Sequence, residues 1–552
     1  MPKSDKRPKR LTNVLFIKTL SRKEASIRRK EKTSTIMTVE NVISGPTGMC
    51  EQHPRITRRQ LLRTGAVIGL TVSTTGCSWW RNVPLAGGQI EQTQAINMRL
   101  GASDLVVQPV LTYDVSHRRE RRSWRNWGGV QTEEAAKKEA ARIAQELNEL
   151  CRLADFGVRA LPLVMVANKQ QVSALKTIEA DVLIVYAAGS GTDTLNMLAA
   201  LNKSLIIFVR KHSKPYYLWD EIVHSRFLRS HTDNLSQPNT DFNDVAVDDN
   251  EEILWRLRAL YGLKNTLGRR IICIGGPGGW SFPKAPELAR ERFGLDMVTV
   301  PIPELNSMIE AARKNPELMA QCNQEGKNYL SKGRVTLSTT EEAVTEAFIL
   351  KKLFHDLMAK SEAFAVTVRG CMGSYAGIMP CLTLTLINDA GHMAYCEGDF
   401  VVIPSGILMH YICGKPTYFC NPTYPHKGRM VFAHCTAPRR MDGKSLEPVE
   451  IVTHYESDHG AATHVAFRKG QILTIIKPDF EAKNWLALTG KIVGTPWLPT
   501  CRAQVEVELD ADTKDVLQNL RGFHCMLAYG DYTREVAYAA KKVGITVQTL
   551  KS

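Results

Sequence analysis

Four residues in the C-terminal third have the types and placement that metal-assisted proton transfer needs. Glu397 and Asp399 sit two apart in Cys396-Glu397-Gly398-Asp399-Phe400. On a strand, that spacing sends both carboxylates from one face. His434 ends the apolar run from Arg429 to Cys435, and His524 opens the apolar run of GFHCMLAYGD. Carboxylates and imidazoles at strand ends make an oxygen and nitrogen donor set for a divalent metal with open positions. Each residue alone has a bland reading: a strand-end His packs, and an E-x-D pair faces solvent. The combination points to a centre.

The elements that must position them follow from hydrophobic patterning. CLTLTLIND, from Cys381, and RMVFAHC, ending at Cys435, are expected as short strands on either side of Glu397. From Phe364 onward, short runs with Gly, Pro and Asn punctuation predict mostly strands, including VVIPSGILM from Val401, VEIVTHY and RAQVEVEL. Together they suggest an antiparallel barrel or sandwich. The earlier chain alternates differently. Leu105–Asp114, Ala160–Asn168, Asp181–Gly189 and Ser204–Lys211 are continuous apolar runs joined by helical connections, the pattern of a covered parallel sheet. Thr132–Leu153 is expected as an amphipathic helix capped by Thr132. Thr232–Asn250 is polar and marks a boundary. A second α/β unit then runs through the Gly-rich turn at Gly275, Gly276, Gly278 and Gly279, with two long helical patterns from Leu305 to about Lys360. The predicted fold class is α/β: two Rossmann-like domains, 98–250 and 251–362, followed by a mainly antiparallel, barrel-like domain, 363–552.

The order of these motifs resembles the L-fucose isomerase-related family, whose distant relatives are the L-fucose and L-arabinose isomerases. The resemblance covers about residues 98 to 550. It rests on the N-D-x-G turn at Asn388, then C-E-G-D, G-K-P with aromatic residues, A-H-C, and finally G-x-H before a small apolar run and G-D-Y. It implies a metal-dependent aldose–ketose isomerase in carbohydrate metabolism. In such enzymes a Mn²⁺-class ion polarises an open-chain sugar and a carboxylate moves a proton through an ene-diol. Carried over by position, Glu397, His434 and His524 are the metal ligands, and Glu397 and Asp399 the catalytic carboxylates. The resembled enzymes have a further Glu on the preceding strand. Here CLTLTL has no acid before Asp389, so Asp389 or Asp399 is its substitute. Relatives of this kind form homo-oligomers. A non-catalytic carbohydrate-binding protein of the cell envelope, or another sugar reaction on the same scaffold, is the alternative.

Other features bound the reading. The net charge of +15 looks like a nucleic-acid signal, but residues 1–63 hold sixteen Lys/Arg and five Asp/Glu, so they carry +11 and the rest +4. A basic binding face is not implied, and no nucleic-acid partner is expected. The 13 cysteines lack any C-x-x-C pair, against structural zinc or a disulfide framework. Residues 1–54 form a basic leader expected to be disordered, with Met37 as an alternative start. Within 55–80, Arg58-Arg59 precede an uncharged stretch from Thr64 to Trp80, the pattern of a twin-arginine export signal. Thr74-Thr75-Gly76-Cys77 resembles a lipoprotein box, making Cys77 a candidate lipid anchor. Export to the periplasm or cell envelope is the expectation, a cytoplasmic location the alternative. The Trp- and Arg-rich segment His117–Gly129 suits a polyhydroxylated or anionic ligand, with Arg125 and Trp127, like Asp389, as candidate substrate-binding residues. His454, His459 and His464, spaced by five, suit neither one strand face nor one helix face and are read as a loop.

Overall fold

The computed structural model describes residues 96–115, 120–121, 129–189, 191–211, 222–223, 225–228, 240–370 and 375–551. The basic leader, the twin arginines, Cys77, Arg125 and Trp127 lie outside them. All described residues belong to one compact unit, 89–552. Among them, no helix is long and apolar enough to cross a membrane.

The first sheet is parallel. Leu105–Tyr113 is flanked on one side by Val158–Ala160 and Val164–Val166, and on the other by Val182–Ala188, then Ser204–Val209 and Val245–Val247. Its central strands are buried at every position but Val106, as continuous apolar runs require. Glu133–Leu153 is the expected amphipathic helix, with the Thr132 hydroxyl accepting from the Ala135 N–H.

A second parallel sheet runs Met393–Tyr395, Ala365–Val368, Arg270–Ile274, Asp296–Val300. The segment expected as two long helices is three: Ile302–Arg313, Pro316–Ser331 and Glu341–Lys360. Pro316 sits at the first position of the second, where a missing N–H costs nothing. A short strand, Val335–Leu337, separates the last two and joins a three-stranded sheet with Val449–Val452 and Ala462–Val465.

The C-terminal region closes into an antiparallel six-stranded barrel. Its strands follow the cyclic order Ile472–Pro478, Cys525–Tyr529, Tyr418–Pro422, Arg429–His434, Ala503–Leu509, Asn484–Gly494. Closure removes the sheet edges.

Two expected strands are helices. Cys381–Asp389 is helical and buried at all nine positions. Ile403–Cys413 is helical and buried at all eleven, with Pro404 in its first turn. An apolar run buried on every side has no polar stripe, so periodicity cannot separate helix from strand. The second of these packs on the helix Asn250–Thr266, and Gly262 makes the approach close. A Cβ there would lie 2.2 Å from Ile412 Cγ1.

Candidate metal centre at the barrel mouth

The candidate residues come together where the second sheet meets the barrel. Strands Arg270–Ile274, Ala365–Val368 and Met393–Tyr395 all end on this side, the carboxyl edge at which parallel sheets bind ligands. Glu397 and Asp399 lie just past Met393–Tyr395 in a turn, not on a strand. Glu397 and Gly398 both have left-handed backbones, with φ of +65° and +60°. The same-face argument for the two carboxylates therefore fails. They reach one histidine from different sides instead.

That turn is locked to the Gly-rich loop. Gly278 N–H donates to Gly398 O, and Phe400 N–H donates to Gly278 O. Gly279 is required there, because a Cβ would come within 2.4 Å of Phe282 O. Asp399 lies just before the helix Ile403–Cys413, and its Oδ1 accepts from Val401 N–H at 3.1 Å and from Trp280 N–H at 3.4 Å.

The histidines come from the barrel wall. His434 ends its strand and His524 immediately precedes Cys525–Tyr529, on opposite flanks of the strand holding Phe419. The Phe419 ring stands edge-on to His434 at 5.1 Å and tilted to His524 at 4.4 Å. Both imidazoles are buried.

Glu397 joins them. His434 Nε2 is 3.2 Å from Oε1, and His524 Nε2 is 3.1 Å from Oε2. The Trp280 indole N–H also donates to Oε2. Behind the histidines, His524 Nδ1 is 2.7 Å from Asp399 Oδ2, and His434 Nδ1 is 3.1 Å from the Thr436 hydroxyl. Burial alone would raise the Glu397 carboxyl; the hydrogen bonds from His434 and His524 outweigh it and hold the group far below the usual carboxylate range. Burial would lower His524, but Asp399 and Glu397 overcome it and push the imidazole up to about 9. Both ring nitrogens of His524 face carboxylates, so both carry protons in this arrangement.

The donor set fits a divalent ion. Cys396, Glu397 and His434 offer ligand atoms within 4.8 Å of one another, while His524 takes the other Glu397 oxygen. Asp399 has both oxygens engaged, Oδ2 on His524 and Oδ1 on the Val401 and Trp280 N–H groups. Trp280, Phe419 and Thr436 escaped the sequence reading, in which Cys396, beside Glu397, is a packing thiol. Trp280 alone had a signal: it closes the Gly-rich turn of a strand-into-loop unit.

Asp389 does not join the group. It ends the helix Cys381–Asp389, and its Oδ1 accepts from the Arg439 and Arg440 N–H groups, each at 2.8 Å. Burial pushes its carboxyl up to about 6. The strand from which its position was inferred is a helix, so its carboxylate meets Arg439 and Arg440 instead of Glu397 and the two histidines.

His454 and His464 have separate partners. His454 contacts Glu456 at 3.0 Å, and His464 Nδ1 lies 2.8 Å from Arg502 O, on a strand rather than in a loop.

No protein-family model matches the chain, and no curated protein matches it.

Proposed function

We propose that the chain is a metal-dependent sugar isomerase that interconverts an open-chain aldose and ketose. The observation that carries this reading is the Glu397 carboxylate held between two buried imidazoles, with Asp399 fixing one of them. Glu397, His434 and His524 would hold a divalent ion of the Mn²⁺ class, the ion taking the place of the His524 Nε2 proton that faces Glu397. Such an ion supplies polarisation of the carbonyl and neighbouring hydroxyl.

The remaining work falls to side chains. Glu397 would move the proton between the two sugar carbons once its hydrogen bonds from His434 and His524, which hold its basicity down, are given up. Asp399 keeps His524 oriented, and Thr436 does the same for His434. Trp280, Phe523 and Phe480 line the rim as exposed aromatic plates, Trp280 stacked on Phe523 at 5.2 Å, which suits the apolar face of a sugar. The same reading takes the two parallel sheets as Rossmann-like units, and the chain as a homo-oligomer. Export by the twin-arginine machinery, with Cys77 as a lipid anchor, rests on the motifs at Arg58-Arg59 and Thr74–Cys77.

One observation favours a second reading. Asp389 is turned to Arg439 and Arg440, so the second acid of the isomerase pattern is not supplied from that helix. That suits a non-catalytic carbohydrate-binding protein, or a different sugar reaction. The test is an aldose panel in D₂O with added Mn²⁺. Isomerisation forms the ketose, with deuterium at the carbon next to the carbonyl to the extent that the Glu397 proton exchanges with solvent. Sugar binding without ketose formation supports the second reading and rejects the first.

A further inference from the structure

We propose that Cys381, Cys435 and Cys501 form a thiol-oxidation site, at which a hydroperoxide links Cys501 to Cys435 as a disulfide. The site stands apart from the isomerase reading and does not depend on it.

The three side chains cluster with Ala462 and Tyr455. The Cys435 thiol is fully enclosed, with Cys381 beside it in the cluster and Cys501 packed against the pair. It also accepts from the Arg502 N–H at 3.4 Å. Cys381 is buried, whereas Cys501 is half-buried. Cys501 is thus the member that a small oxidant reaches from outside, with Cys435 directly behind it. Its Sγ also lies 3.8 Å from Glu456 Oε1, and the other oxygen of Glu456 is 3.0 Å from His454 Nε2.

The backbone already brings the pair together. His434 stands opposite Ala503 in the barrel, so Cys435 and Cys501 lie just beyond the paired ends of neighbouring strands. A disulfide needs side chains in contact with their backbones already close. A second pair meets the contact criterion: Cys420 and Cys525 have sulfurs 3.5 Å apart on adjacent strands. Both are fully enclosed, so an oxidant has no path to them.

The chemistry balances with hydrogen peroxide as oxidant. Cys501 Sγ attacks one peroxide oxygen, the O–O bond breaks, and one water leaves. Cys501 is then a sulfenic acid. Cys435 Sγ attacks that sulfur, the S–O bond breaks, and the hydroxyl departs with the Cys435 proton as a second water. Two thiols lose two electrons in total, and the peroxide gains them. The new bond ties down the residue next to His434.

The test uses the full chain, treated with hydrogen peroxide, alkylated under denaturing conditions, digested and mapped by mass spectrometry. The expected product is a Cys435–Cys501 linked peptide, with two alkylatable thiols lost. Cys501→Ser should leave Cys435 fully alkylatable, and Cys381→Ser should still form the link. The proposal is overturned if the wild-type chain keeps both thiols. Equal oxidation of Cys435 in Cys501→Ser, or a link to Cys381 in its place, also overturns it.

Discussion

Glu397 adopts a backbone conformation that a residue with a side chain enters at a cost of about 1–3 kcal/mol. Its three side-chain donors, from His434, His524 and Trp280, offset that cost and hold both oxygens of the carboxylate. Asp399 holds the far side of His524. We therefore expect Asp399→Asn to weaken Mn²⁺ binding about 10- to 100-fold, because an orienting partner contributes that much to a metal site. Isothermal titration checks this, and an unchanged affinity would show that His524 is held by other means. Asp389 gives the opposite expectation. Its carboxylate ties two backbone N–H groups, so Asp389→Ala should lower stability by about 1–3 kcal/mol and leave Mn²⁺ affinity unchanged. Urea unfolding and the same titration separate the two. A loss of metal or sugar affinity at full stability would restore Asp389 to the site.

At the scale of elements, the site is a join between the turn after Met393–Tyr395, the Gly-rich loop and two strand ends of the barrel. Gly262 supports it from behind by letting two helices touch. Gly262→Ala should cost about 1–3 kcal/mol, since the added methyl meets Ile412 in a packed core. Thermal melts measure this, and an unchanged melting temperature would mean that the helices separate freely. Much of this level was legible beforehand. Glu133–Leu153 announced itself by its stripe and its Thr132 cap, and the parallel strands by continuous apolar runs. Cys381–Asp389 and Ile403–Cys413 did not, because total burial erases the stripe that marks a helix. The site was half legible for a related reason. Glu397, His434 and His524 carry chemistry in their residue types, and the structure brings all three together. Trp280 does so only through Glu397, distant in the chain, which no spacing reveals, and Thr436 only through its contact with His434 two residues before it.

At the scale of the molecule, one apolar core runs beneath both the second sheet and the barrel, so the centre depends on the whole fold. Acid should loosen it through buried histidines. Burial, reinforced by neighbouring His392, lowers His355 to about 4, and burial lowers His392 too; the rings stand 4.9 Å apart. Unfolded, each titrates near 6.5. Below that pH the unfolded chain binds more protons than the folded one, so stability falls as pH drops from about 6.5 towards 4. The loss should be on the order of 2 kcal/mol. It should shrink in a His355→Gln, His392→Gln double variant, as melts across that range would show; an identical decline would assign it elsewhere. The central claim is that Glu397, His434 and His524 bind a metal ion. The most direct measurement is elemental analysis of the chain, purified and then reconstituted with Mn²⁺, beside Glu397→Gln. About one ion per chain in the wild type, lost in Glu397→Gln, is the predicted result. No bound metal in either protein, or equal metal in both, would contradict it.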